Sequence, residues 1–197
     1  EYIQRFWEAS IRDLGGKRLC VDITGFIRPY LAFLVKWLFE RGVQRFDALY
    51  SEPLVYSKRE DTRFSDEAVV EVRQIAGFEG THKADTSNDY LIIGAGYDHQ
   101  LIAQVAESKA FSKKIQIFGL PSLRADMYQE NVLRAFLAEE AVGRNTADPA
   151  SSFFAPANDP FATASTLREI VSRIDSRKPI PNLYLSPLAT KPQVLGF

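Results

Sequence analysis

The sequence predicts an α/β fold of the Rossmann-like, doubly wound type: a mainly parallel sheet with helices on both faces. Three observations predict it. Short apolar runs of strand length recur at residues 18–23, 46–50, 90–93, 114–118 and 183–185. Amphipathic stretches with apolar residues three and four apart separate most of them. Strands that are apolar without alternation suit a sheet covered on two sides, and strand–helix alternation suits parallel pairing through right-handed crossovers.

The elements follow in order. Ile3, Phe6, Trp7, Ile11 and Leu14 share one helical face, and Gly15-Gly16 stops that helix. Residues 18–23 form the first strand. Pro29 opens a helix that runs to Arg41 and closes at Gly42. Residues 46–50 form the second strand. Residues 51–88 are an insertion or edge excursion, with a strand or hairpin at 69–78. Residues 90–93 form a buried strand, followed by a helix over 99–109. Residues 114–118 form another, followed by a helix over 126–142. Residues 143–157 read as a polar loop. Asp159-Pro160 then caps a helix to Ile174, with Asp as N-cap and Pro at the first helical position. Leu183, Tyr184 and Leu185 form the last strand. Leu19, Val21, Ile23, Leu91, Ile92, Ile93, Ile115, Ile117, Leu183 and Leu185 are the expected core. A length of 197 residues fits one domain. Glu1 in place of Met, and an end only a turn or two into a helix, predict a longer natural chain.

Composition narrows the function. Lys plus Arg is 24 against 25 for Asp plus Glu, a net charge of −1, which argues against a general nucleic-acid surface. The short pairs Lys58-Arg59 and Lys113-Lys114 do not alter that balance. No apolar run reaches the length of a membrane span. Cys20 is the one cysteine. It reads as a small core residue, and an unpaired thiol fits a reducing cytoplasm. His82 and His99 are far apart and lack cysteine partners, so no metal site is expected. The chain has no phosphate-loop motif and no G-x-S-x-G elbow. Gly94-Ala95-Gly96 opens a helix after a strand, but the third glycine of a dinucleotide fingerprint is missing near His99. No motif implies a cofactor.

The chemistry gathers at the strand exits, which share one rim in a parallel sheet. Thr24-Gly25, Gly94, Gly96, Tyr97, Ser186, Thr190 and Lys191 are the candidate ligand-binding residues. Glycine admits close backbone approach, and hydroxyls supply hydrogen bonds. Tyr50, Tyr56 and Tyr97 fall near the rim, where a ring can stack on a base, although packing is the simpler role for Tyr50. Thr190 stands at an N-cap and Pro192 near the first helical position. Lys191 therefore lies beside a helix N-terminus, a setting that favours phosphate or carboxylate. Asp22, Glu52 and Asp98 are the candidate acids or bases. Asp22, set within a strand, faces either a core or the rim, and if buried needs a partner, either Lys191 or a loop N–H.

The final strand, loop and helix resemble the matching element of the CRISPR-associated Rossmann-fold sensor domains, the CARF superfamily. Thr190-Lys191 matches that family's Thr-Lys loop, and Thr24-Gly25 its hydroxyl-bearing first loop. Pro187, Leu188 and Ala189 stand where that family carries glycines. The resemblance implies a sensor or regulatory module for a nucleotide-like anion, with a homodimer as its expected assembly. The alternatives are a hydrolase or transferase for a nucleotide or sugar phosphate, working through carboxylates at the rim, and a scaffold whose rim is filled by its own side chains.

Overall fold

The computed structural model describes residues 2–11, 17–52, 71–124, 127–129, 132–133, 142 and 151–197. Their order is α1 (Tyr2–Ser10), β1 (Cys20–Asp22), α2 (Arg28–Glu40), β2 (Asp47–Leu49), β3 (Tyr90–Ala95), α3 (His99–Ser108), β4 (Lys113–Gly119), β5 (Ser152–Ala155), α4 (Pro160–Asp175), β6 (Leu183–Pro187) and α5 (Lys191–Gly196). The fold is α/β, and among the described residues every strand pairing is parallel.

The strands form two sheets. β1 and β2 make one, and the other runs β5-β4-β3-β6. In the larger sheet the chain steps from β3 to β4 to β5, then returns to the far side of β3 for β6. The exits of β3 and β6 therefore diverge from a topological switch point, the place where open α/β sheets take ligands. Ile93 pairs with Ser186 and Gly94 with Pro187, so the two exits share one edge.

Packing follows from side-chain alternation along the strands. Leu91, Ile93 and Ala95 cluster with Ile102 and Ala106 of α3 and with Val142. Ile92, Ile115 and Ile117 cluster with Leu167 and Ile170 of α4. The smaller sheet has a separate core, in which Trp7 of α1 meets Leu34, Trp37 and Leu38 of α2 beside Leu19 and Val21. Trp7 stacks on Phe33 at 5.7 Å, and Arg41 covers Trp37 at 3.9 Å. A fourth cluster of Ile23, Leu31 and Val194 joins the two parts through α2 and α5.

Several expectations are corrected. Leu183 and Leu185 are 37% and 43% exposed, because β6 is an edge strand and the α4 cluster stops at β3. Leu19 and Val21 are half-buried and Cys20 is exposed, because β1 belongs to a sheet of only two strands. Residues 71–89 form no strand, and the remainder of the expected 69–78 hairpin lies outside the described residues. Within the expected loop 143–157, Phe153-Phe154-Ala155 belong to β5 and pair with β4. The expected helix over 126–142 lies partly outside the described residues; 127–129, 132–133 and 142 are helical.

The excursion is pinned to the entry edge of the larger sheet. Asn182, only 4% exposed, accepts from the Lys83 backbone N–H at 2.7 Å and donates to the Lys83 carbonyl at 3.1 Å and to Asp89 at 2.9 Å. His82 stacks on Tyr184 with centroids 5.4 Å apart.

Candidate functional site

The rim is built from four strand exits. After β1, the Thr24 backbone N–H donates to Asp22 Oδ1 at 2.9 Å, a local turn that an aspartate stabilises. Thr24 Oγ1 in turn accepts from the Ser51 backbone N–H at 2.9 Å, which ties the β1 and β2 exits together. Gly25 borders open space. Asp22 is exposed, and its hydrogen bonds from Thr24 hold its carboxyl below the usual range. Of the two expected partners, Lys191 and a loop N–H, the loop N–H of Thr24 is the one bonded, and the carboxylate faces solvent rather than a core. Glu52 is also exposed.

After β3, Asp98 caps α3, its Oδ1 accepting from the Leu101 backbone N–H at 3.1 Å. Tyr97 donates its hydroxyl to the Met127 carbonyl at 3.3 Å. Gly94 and Gly96 open onto this chain's own atoms. A Cβ at Gly96 would lie 2.0 Å from the Leu188 carbonyl oxygen, and one at Gly94 would lie 3.0 Å from the Phe197 ring. Gly96 is therefore required by the backbone of the loop after β6, whereas Gly94 leaves room for the Phe197 ring at the end of α5.

After β6, Ser186 is half-buried beside Ile93. Thr190 caps α5 as expected, its Oγ1 accepting from the Gln193 backbone N–H at 3.4 Å while donating to the Ala157 carbonyl. Gln193, 1% exposed, fastens the helix from below by donating to the Ala155 carbonyl at 3.2 Å. α5 has six residues. Pro192 has no N–H, and the Gln193 N–H is already bonded. The start of α5 thus offers little to an anion, and the attraction must come from side chains.

Those side chains are Lys191 and a residue the sequence reading passed over, Arg28. Arg28 begins α2, yet its Nε reaches the loop after β6 and donates to the Ala189 carbonyl at 2.8 Å. Burial lowers the pKa of its guanidinium, while Asp98 and Tyr50 favour the charge. Guanidinium stays protonated regardless. Burial, and then the nearby Arg28, push the Lys191 ammonium below its ordinary value. Among the described residues, no carboxylate offsets either effect on Lys191. The Lys191 Nζ lies 5.9 Å from the Tyr50 ring centroid. Burial and Glu52 raise the Tyr50 phenol, against the pull of Arg28.

Groups from all four exits thus meet: Arg28 beyond β1, Tyr50 after β2, Asp98 after β3, and Ala189 and Lys191 after β6. Two half-buried cations of like sign stand at the centre. That arrangement can hold a compact anion, with the guanidinium Nη atoms and the ammonium as donors. Arg28 has one sequence signal: a cation at a helix start, where the dipole disfavours it, requires another reason to be there. Among the described residues, no group of three or more His, Cys, Asp or Glu side chains is placed to hold a metal ion. No described helix is long and apolar enough to cross a membrane. Comparison with family models, with curated proteins and with solved structures yields no match.

Proposed function

We propose that this chain is a doubly wound, Rossmann-like ligand-binding domain that recognises a phosphate-bearing, nucleotide-like anion and serves as a sensor or regulatory module in the cytoplasm. The observation that carries the reading is the pair Arg28 and Lys191, two like charges held together at a topological switch point. An anion between them removes their repulsion and compensates for their partial loss of water. Tyr50 supplies an aromatic face beside the ammonium. The likeness of Thr190-Lys191 to the CARF loop points to the same ligand class and to a paired assembly. Two of the three candidate carboxylates, Asp22 and Asp98, favour a sensor over a hydrolase or transferase. Asp22 is held ionised by its turn and Asp98 is spent as a helix cap, so neither is set up as a proton donor.

A thermal-shift panel of cyclic oligonucleotides, mononucleotides, sugar phosphates and inorganic phosphate tests the reading. A ligand at a hundredfold its dissociation constant stabilises the native state by about 2.7 kcal/mol. The expected result is stabilisation by phosphate-bearing members, lost in both Lys191→Ala and Arg28→Gln while each variant still melts cooperatively. A panel with no stabilising anion, or stabilisation unchanged in both variants, sinks the proposal.

A further inference from the structure

We infer that an anion seated between Arg28 and Lys191 acts as a clasp, drawing the part built from α1, β1, α2 and β2 onto the four-stranded sheet. This inference rests on the proposed anion site and adds its regulation: occupancy sets how firmly the two parts hold together.

Three features of the molecule carry it. The two parts have separate cores, one around Trp7 and Trp37 and the other around the β3–β4 strands. Among the described residues, no strand of one sheet is hydrogen-bonded to a strand of the other. Among the described residues, the seam at the exit edge includes Ile23 and Leu31 against Val194, with Val21, Phe26, Tyr50 and Leu195 packed around them, and the bond from Arg28 to the Ala189 carbonyl.

The charges at that seam act against it. Arg28 belongs to one part and Lys191 to the other, and Arg28 disfavours the charge of Lys191. An anion between them turns this repulsion into two attractions. The closed seam presents both cations to the ligand, whereas an opened seam presents one. A ligand shifts an equilibrium by its difference in affinity for the two states, and here that difference favours closure.

Hydrogen exchange with inorganic phosphate as the probe tests the clasp, with potassium chloride at matched ionic strength to account for screening. If opening the seam releases the anion, phosphate at ten times its dissociation constant slows exchange in peptides covering residues 28–40 by about tenfold. Peptides covering 113–119, in the centre of the larger sheet, are expected to keep their rate. Lys191→Glu places a carboxylate where the anion would sit. It is expected to slow exchange over 28–40 with no phosphate present, and to abolish the phosphate response. Lys191→Gln, a milder change, is expected to abolish the response alone. If phosphate raises the melting temperature but leaves 28–40 unchanged, the clasp is overturned and the anion site stands. If Lys191→Glu folds and does not slow exchange over 28–40, the clasp is likewise overturned. If phosphate changes neither melting nor exchange, the site and the clasp fall together.

Discussion

Lys191 is held where its own charge is disfavoured, first by burial and then by Arg28, and this gives it a pH signature. Its folded pKa lies below the ordinary lysine value, so between the two the unfolded chain binds more protons than the folded one. The stability of the ligand-free domain therefore rises with pH across that window. Anion binding has the opposite slope. A bound anion favours the ammonium, so binding takes up a proton in the same window and affinity falls as pH rises. Calorimetric titration with sulfate, whose own charge is constant there, checks this from neutral pH up to about 10. The expected outcome is a progressive loss of affinity in the parent chain and a weak, flat profile in Lys191→Ala. Equal slopes in both would remove Lys191 from the site. The place of Lys191 at a helix start was legible in the sequence because Thr190 and Pro192 bracket it. The approach of Arg28 was not. Arg28 precedes Pro29 at a helix start, where a cation is an anomaly that names no partner, and only the return of β6 to the far side of β3 brings the Ala189 carbonyl to its Nε.

The strand-to-helix turns show where local pattern ends and tertiary approach begins. Gly94-Ala95-Gly96 reads equally well as a ligand cradle or a tight turn. The coordinates give the glycines a different duty, because the loop after β6 crosses directly over them. The clash at Gly96 is with backbone, the Leu188 carbonyl oxygen, which cannot swing aside. At Gly94 the clash is with the Phe197 ring, which can. Gly96→Ala is therefore expected to cost about 1–3 kcal/mol, the range for overpacking a tight site, and Gly94→Ala measurably less. Urea unfolding of the two variants checks the order, and a reversed order would mean that Phe197 is the more rigid neighbour. Helix caps were legible because their chemistry is local: Asp159 accepts from Phe161 and Ala162, and Thr190 from Gln193, as expected. Burial in strands was legible only where neighbours exist on both sides. Ile92 and Ile117 sit between strands and are buried, whereas Leu183 and Leu185, no less apolar, lie on an edge. β5 was hidden for a related reason. Its Phe153-Phe154-Ala155 run is short and follows a long polar stretch, so only its pairing with β4 defines it.

For the whole molecule, strand alternation made the parallel α/β class legible, and the shared exit edge of β3 and β6 followed from it. The division into two sheets was not legible. Strand order is decided by which edges meet in space, and the local pattern of β1 and β2 does not record which edges those are. The division has a spectroscopic consequence. Both tryptophans of the chain, Trp7 and Trp37, lie in the α1–α2 core, and the larger sheet has none. Tryptophan fluorescence therefore reports on the smaller part, while far-UV circular dichroism follows the secondary structure of both. A sheet of two short strands is marginal by itself, and its stability depends on α1, α2 and the seam. The smaller part is thus expected to unfold at lower urea than the larger. The fluorescence midpoint should precede the dichroism midpoint, a failure of the coincidence that a single cooperative transition requires. Phosphate should move the fluorescence midpoint upward more than the dichroism midpoint and so narrow the gap, because it binds across the seam. Coincident midpoints without phosphate would mean that the Ile23–Leu31–Val194 contact already couples the two parts into one cooperative unit, leaving the cation pair nothing to regulate.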